Sequence, residues 1–198
     1  MTGHGVLHPP VGLVLAGGES RRLGSDKARL EGATLTLGAA ERLAAVCAEV
    51  AVADRGRELV PGRRSLADGP GRGPVAGILG GAAGYPGRSL LVLACDLPRV
   101  PAGLLAELAQ AKAADWMVPR WEGGLEPLCA FYGPAALAAL AERVREGRFS
   151  LFDLADDASL AVRYLEGEAL RRFGDPEEVF FNLNEPGDLE RWREEKGT

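Results

Sequence analysis

The chain has 198 residues, 46% of them hydrophobic and 26% charged, with a formal charge of −5. That is enough for one hydrophobic core and ordinary for a water-soluble globular domain. The acidic balance argues against a general nucleic-acid binder, so any anion site has to be local, and the absence of a long apolar run or a signal-peptide pattern makes the cytoplasm the expected location, with no membrane partner.

Residues 1–10 read as a mobile lead that carries both histidines, His4 and His8, and residues 11–198 as a single domain. Val11 to Ala16 is a continuous apolar run ending at Gly17-Gly18, the pattern of a buried strand feeding a loop. Leu35 to Val46 follows as a helix, with Thr34 as its cap and Leu35, Leu37, Leu43 and Val46 as apolar positions. Glu49 to Asp54 reads as a second strand. A loop rich in glycine, proline and arginine runs from Asp54 to Gly73, and a helix is predicted from Pro74 to Gly84. Ser89 to Asp96 is the strongest strand signal, and Pro98 and Pro101 open a helix carrying Leu104, Leu105, Leu108 and Ala109. The second half is less regular. Asp115 to Pro119 and Glu126 to Tyr132 read as strands and Pro134 to Arg145 as a helix. Leu160 to Leu165 and Glu178 to Asn184 are further apolar runs, the latter placing Asn182 and Asn184 on one face of a strand. Glu185 to Lys196 closes the chain as a charged helix with Leu189 and Trp192 inward. The alternation of strands and helices predicts an α/β fold: a three-layer, Rossmann-like, mostly parallel sheet with helices on both faces.

Cys47, Cys95 and Cys129 are widely spaced and form no CxxC pair, so they read as small reduced hydrophobes rather than disulfide or zinc ligands. Trp116, Trp121 and Trp192 read as packing residues. With both histidines in the lead, a histidine-based triad or metal site is not expected.

Ligands of a parallel sheet collect at the carboxyl ends of its strands, and three segments meet there. In "AGGESRRLGSDK" the glycines can bring backbone N–H groups against phosphate oxygens while Arg21, Arg22 and Lys27 add charge, although neither a Walker loop nor a dinucleotide fingerprint is present. Asp96, after the strand of Ser89 to Asp96, is either a Mg²⁺ ligand, with a polyphosphate supplying further oxygens, or the cap of a tight turn. In "LADGPGRGPVAGI" the glycines permit close approach and Asp68 can accept hydrogen bonds from a base or sugar, the alternative being a plain flexible loop. Glu126 reads as a solvated loop carboxylate.

"LAGGESRRLGSDK", "SLADGPGRGPVAGI", "VLACDLPRVP", "EPLCAFY" and "FFNLNEPGDLERW" occur in the order and rough spacing of molybdenum cofactor guanylyltransferases, and the chain resembles that family from about Val11 to Trp192. The resemblance implies the nucleotide-diphospho-sugar transferase type of α/β fold. It implies a GTP site in which Leu15, Ala16, Gly17 and Gly18 form the nucleotide loop, Lys27 meets the phosphates, Arg22 is the loop arginine and Asp68 is a second nucleotide contact. Asp96 resembles the family's Mg²⁺-binding aspartate, and Asn182 and Asn184 its acceptor-side asparagines. One departure bears on guanine selectivity: where related enzymes can place an asparagine at the end of the second strand, this chain has Ala53 followed by Asp54. The implied partners are GTP, the molybdopterin cofactor, a GTP-binding accessory protein and molybdoenzyme chaperones. The arginines from Arg55 to Arg72 are candidates for holding the pterin.

The implied reaction is attack of an acceptor phosphate oxygen on the α-phosphorus of GTP with loss of pyrophosphate. A phosphate nucleophile is already ionised at neutral pH, so no strong base is needed; Lys27, Arg22 and Mg²⁺ on Asp96 would gather the negative charge. Two readings stand beside it: a cytidylyltransferase or a sugar- or alcohol-phosphate nucleotidyltransferase, and a nucleotide-binding regulator without turnover.

Overall fold

A computed structural model of the chain describes residues 9–16, 26–111 and 113–183, with side chains of the first helix described from Ala33. Strands β1 (Val11–Leu15), β2 (Val50–Ala53) and β4 (Leu90–Ala94) are short, apolar and fully buried, as expected of parallel strands covered on both faces. β3 (Arg64–Leu66) lies at one edge. It falls inside the segment expected to be loop, because three residues with one buried leucine give no apolar run to detect.

The first sheet neighbours run in the order β3-β2-β1-β4 and all are parallel. Next to β4 comes β7 (Cys129–Tyr132), antiparallel to it, and then β5 (Trp116–Trp121), antiparallel to β7. Two more strands flank β5: β6 (Gly124–Leu125) forms a hairpin with it, and β8 (Val162–Leu165) pairs with it in parallel. Only β6 and β7 therefore run against the other described strands, and the sheet is mixed but mostly parallel. Chain order reverses between β1 and β4, since the chain steps outward from β1 to β3 and then returns to the other side of β1. The carboxyl ends of β1 and β4 consequently flank the crevice where such sheets bind ligands.

Helices cover both faces. α1 (Asp26–Ala44) packs on β1, β2 and β4 and touches α3 (Ala102–Ala109). α2 (Pro74–Gly84) packs on β1 to β4 and touches α4 (Pro134–Arg145). Side-chain alternation along β1 assigns the faces: Gly12 meets Leu43 of α1, whereas Leu13 and Leu15 meet α2. α2 turns a glycine stripe to the sheet, Gly77 against Leu15 and Ala53, Gly81 against Leu13 and Leu90, and Gly84 against Leu66. The helix backbone therefore lies close to the strands.

α1 begins nine residues before the expected start at Leu35, so Thr34 lies within it and is not its cap. Leu37 is exposed and Thr36 is buried, the reverse of the apolar pattern assigned from sequence. A 3₁₀ turn (Phe152–Asp156) precedes β8, and two short helices follow it, α5 (Gly167–Arg171) and α6 (Pro176–Val179). Of the strand expected over Glu178 to Asn184, the described part, Glu178 to Leu183, is not formed. Glu178 and Val179 end α6, which Asp175 caps by accepting from the Glu177 N–H, and 181–183 are irregular. Pro176 at the first helical turn and this cap favour a helix where apolar residues alone suggested a strand. The expected terminal helix with Leu189 and Trp192 lies outside the described residues. Cys47, Cys95 and Cys129 are free thiols.

Candidate active site

The end of β1 is held from both sides. Leu15 and Ala16 are buried; the Leu15 carbonyl accepts from the Cys95 N–H at 3.1 Å, and the Ala16 N–H donates to Ala53 at 3.0 Å. Arg57 reaches across to donate to the Ala16 carbonyl and, through Nε, to the Asp54 carbonyl at 2.7 Å. The chain thus enters the glycine loop from a fixed point beside Asp96. Gly17, Gly18, Arg22 and Asn184 lie outside the described residues; Lys27 is placed in the first turn of α1 by its backbone, and its side chain is also outside them.

Asp96 follows β4 at the switch point. Arg42 of α1 secures the segment after it by donating to the carbonyls of Leu97 at 2.8 Å and Val100 at 3.1 Å. The Leu183 N–H donates to the Asp96 carbonyl at 3.0 Å, which brings the Asn182 side chain alongside the Asp96 carboxylate. Asp96 Oδ1 and Asn182 Oδ1 are both buried and have no donor among the described residues. Burial raises the Asp96 pKa, and polar backbone and the neighbouring Asn182 amide oppose that rise. Asn182, assigned from sequence to the acceptor side, is therefore a direct neighbour of the aspartate.

Because β7 is antiparallel to β4, its start rather than its end reaches this rim, and it brings Glu126. This carboxylate is half-buried and accepts from the Leu128 N–H at 3.1 Å. Burial, aided by the Asp96 charge and opposed by that hydrogen bond, lifts its pKa to about 7. The solvated loop position expected for Glu126 is thus corrected. A strand reversal between sequence-distant elements left no local pattern from which its partnership with Asp96 could be read.

At the other end of the rim, Asp68 pairs with Arg55 at 2.9 Å and remains partly exposed. Its loop is pressed onto α2: the Gly69 N–H donates to Ala76 at 2.8 Å, and a Cβ at Gly69 would lie 2.7 Å from the helix backbone. A Cβ at Gly80 would collide with the Ala67 carbonyl oxygen. Asp54 is fully buried and holds its own loop, accepting from the Leu59 N–H at 2.8 Å and from Ser65. Of the arginines offered for the pterin, Arg55 and Arg57 are engaged as above, Arg64 donates to the Gly84 carbonyl and lies over Tyr85, and Arg72 lies over Phe149. Arg57 and Arg64 fasten the β2–β3 end of the molecule, whereas the Arg55 pair lies at its surface and Arg72 sits beside the segment after α4.

The sequence profile of the MobA-like NTP transferase domain matches residues 12–158. The chain belongs to that family. It is similar to a Pelotomaculum thermopropionicum protein named "Probable molybdenum cofactor guanylyltransferase", 35% identical and covering 92% of this chain and 91% of that one. A Syntrophotalea carbinolica protein named "Molybdenum cofactor guanylyltransferase" is 31% identical, with coverages of 91% and 89%. Among solved structures, the molybdopterin-guanine dinucleotide biosynthesis protein A of Archaeoglobus fulgidus superposes with a TM-score of 0.76 at 26% identity, covering 94% of this chain and 98% of that one. As a member of the MobA-like NTP transferases the protein is a nucleotidyltransferase with the nucleotide-diphospho-sugar transferase type of α/β fold. Among the described residues no helix is long and apolar enough to cross a membrane.

Proposed function

We propose that the protein transfers GMP from GTP to the phosphate of molybdenum-molybdopterin, releasing pyrophosphate and forming the guanine dinucleotide cofactor. The observation that carries this reading is the pair of buried, donorless oxygens of Asp96 and Asn182 at the switch point, beside the start of the glycine loop. A carboxylate and an amide oxygen are hard donors, and leaving both buried without a hydrogen bond would be costly unless a cation meets them. They fit Mg²⁺. With Asp96 and Asn182 holding it, the ion would supply charge neutralisation for the triphosphate. Among the described residues no three carboxylate, thiol or imidazole groups converge on a metal position, so the protein's share of the coordination rests on Asp96 and Asn182.

The chain's own residues then have limited tasks. Leu15 and Ala16 fix the entry of the loop, so that the N–H groups of Gly17 and Gly18 can approach phosphate. Lys27 and Arg22 neutralise the leaving pyrophosphate, a role taken from sequence. The acceptor phosphate oxygen forms its bond to the α-phosphorus as the bond to the β-phosphate bridging oxygen breaks, and the electron pair leaves with pyrophosphate. No enzyme base is required, since the nucleophile is already ionised. Asp68 contacts the nucleotide on the β3 side and Asn184 the acceptor. We place the protein in the cytoplasm, where its thiols stay reduced, with GTP and molybdopterin as substrates and a GTP-binding accessory protein and molybdoenzyme chaperones as partners.

A cytidylyltransferase is favoured by one observation: Ala53 offers the base no polar group, and the adjacent Asp54 is turned wholly into its own loop. Incubation with each NTP, Mg²⁺ and molybdopterin, followed by pyrophosphate measurement, separates the readings. Turnover with GTP is expected. Preference for CTP would reject guanine selectivity, and pyrophosphate from no NTP would leave a binding protein.

A further inference from the structure

A second concavity opens on the same rim, beyond β7. It is a cleft of about 450 Å³ between the ends of β5 and β8 and the helices α5 and α6. That volume is in the range of small-molecule sites. Trp121 lines it. The indole is half-buried, with Phe180 against it at 6.1 Å between ring centroids and an interplanar angle of 32°. It also lies over Gly123, where a Cβ would collide with the indole ring. The ring packs against the core as expected and at the same time presents a braced flat surface to the cleft. Phe180, behind the indole, stands two residues before Asn182, and the next residue, Leu183, donates its N–H to the Asp96 carbonyl, so the segment that braces Trp121 runs on to Asp96.

The remaining charged lining decides the chemistry. Arg120 and Arg171 face four carboxylates, Glu122, Glu166, Asp175 and Glu177. Arg120 pairs with Glu166 while its guanidinium covers Tyr164 at 3.9 Å, and Arg171 reaches Glu122 at 3.5 Å. The Arg120 contact also lowers the Glu166 pKa, which keeps that carboxylate ionised. An acidic surplus around an aromatic plate disfavours a phosphate group. It favours a flat ring whose edge donates hydrogen bonds, since carboxylates only accept.

We propose that this cleft holds the pterin ring of the acceptor, with the face of the ring on Trp121 and its amino-amide edge toward Glu166 and Glu177, so that the acceptor's phosphate end points back to Asp96. The proposal rests on the guanylyltransferase reading for the identity of the acceptor. Guanine carries the same amino-amide edge, but the nucleotide loop follows β1, on the opposite side of β4, which assigns the cleft to the pterin.

The test uses the full chain and 6-hydroxymethylpterin, a pterin without phosphate, followed by its own fluorescence polarisation in the absence of GTP. Stacking of a ring on an aromatic side chain is worth enough that Trp121→Leu should weaken pterin binding about tenfold or more. The double variant Glu166→Gln/Glu177→Gln keeps the indole and should also weaken it, so the proposal stays testable if Trp121→Leu does not fold. GTP binding is expected to be unchanged in both, and in the full reaction the molybdopterin KM should rise while the GTP KM holds. Wild-type affinity for 6-hydroxymethylpterin in both variants, no pterin binding by the wild type, or loss of GTP binding in place of pterin binding would overturn it. Pyrophosphate release by the wild type with GTP and molybdopterin is measured separately. Its absence would reject the transfer reading while the pterin titration still reports on the cleft.

Discussion

The rim half built by β1, β2 and β3 is closed by its own side chains, whereas the half built by β5, β7 and β8 keeps an open, charged cleft. In the first, Arg57 ties β1 to β2, Asp54 holds the loop that follows it, and the Asp68 loop is clamped on α2 through Gly69 and Gly80. In the second, the ion pairs lie at the surface and the side chains border a space. Asp96, Asn182 and Glu126 stand at the seam. One half therefore looks preorganised for a ligand of fixed shape and the other for a ligand recognised by its edges and face.

The strongest way to break this comparison is at the seam. Asp96→Ala is expected to lower turnover about a hundredfold or more, on the scale of losing one preorganised charge contact, while GTP affinity changes far less. Pyrophosphate release and GTP titration on the same preparation check it; equal losses in both would move Asp96 from the reacting centre to simple nucleotide holding.

Gly80→Ala strikes the closed half. Its new Cβ would press on the backbone at Ala67, which cannot swing away as a side chain can. Overpacking of this kind costs about 1–3 kcal/mol, and at about 2–4 °C per kcal/mol for a chain of this size the thermal midpoint should fall several degrees. Gly123→Ala, on the open half, meets only the Trp121 indole and should cost less. If it costs more, the two halves do not differ in rigidity as described.

Glu126 sharpens the seam through pH. Its pKa rises from an ordinary 4.5 to about 7, so the folded chain keeps a proton that the unfolded chain has released. This stabilising contribution is complete below about 4.5 and is lost as pH climbs through about 7. In metal-free buffer, urea midpoints of the wild type should drop between about pH 5 and about pH 8 more than those of Glu126→Gln. Parallel profiles would mean that Glu126 is not desolvated.

The smallest effect is expected at Arg55→Ala. The Arg55–Asp68 pair is exposed, and such pairs contribute about 0–1 kcal/mol. Denaturant titration should show little change, and a larger loss would mark Arg55 as part of the closed half's fastening.

Legibility in the sequence follows the same division. β1, β2 and β4 were readable because strands buried on both faces must be continuous apolar runs, and Asp96 was readable because a carboxylate ends the strongest of them. The glycines of α2 hinted at close approach, though not that Gly69 and Gly80 interlock. On the other side the signal failed. β3 was too short to register, and Phe180 to Leu183 misled by apolar alternation although Asp175 and Pro176 start a helix. Glu126 and Asn182 gain their meaning from tertiary neighbours: one arrives on a reversed strand and the other through an irregular segment joined by the Leu183 N–H to Asp96.

The reversal of β7 has a consequence for how such a molecule can vary. After β1, β3 and β4 the chain leaves the rim, crosses the sheet as a helix and returns, so adding residues there disturbs a crossover. Between Trp121 and Cys129 it merely doubles back through β6 in a hairpin. That turn is the one described stretch bordering both Asp96 and the cleft that can lengthen without moving a helix, which makes it the natural point at which acceptor choice could diverge while the nucleotide side stays constant.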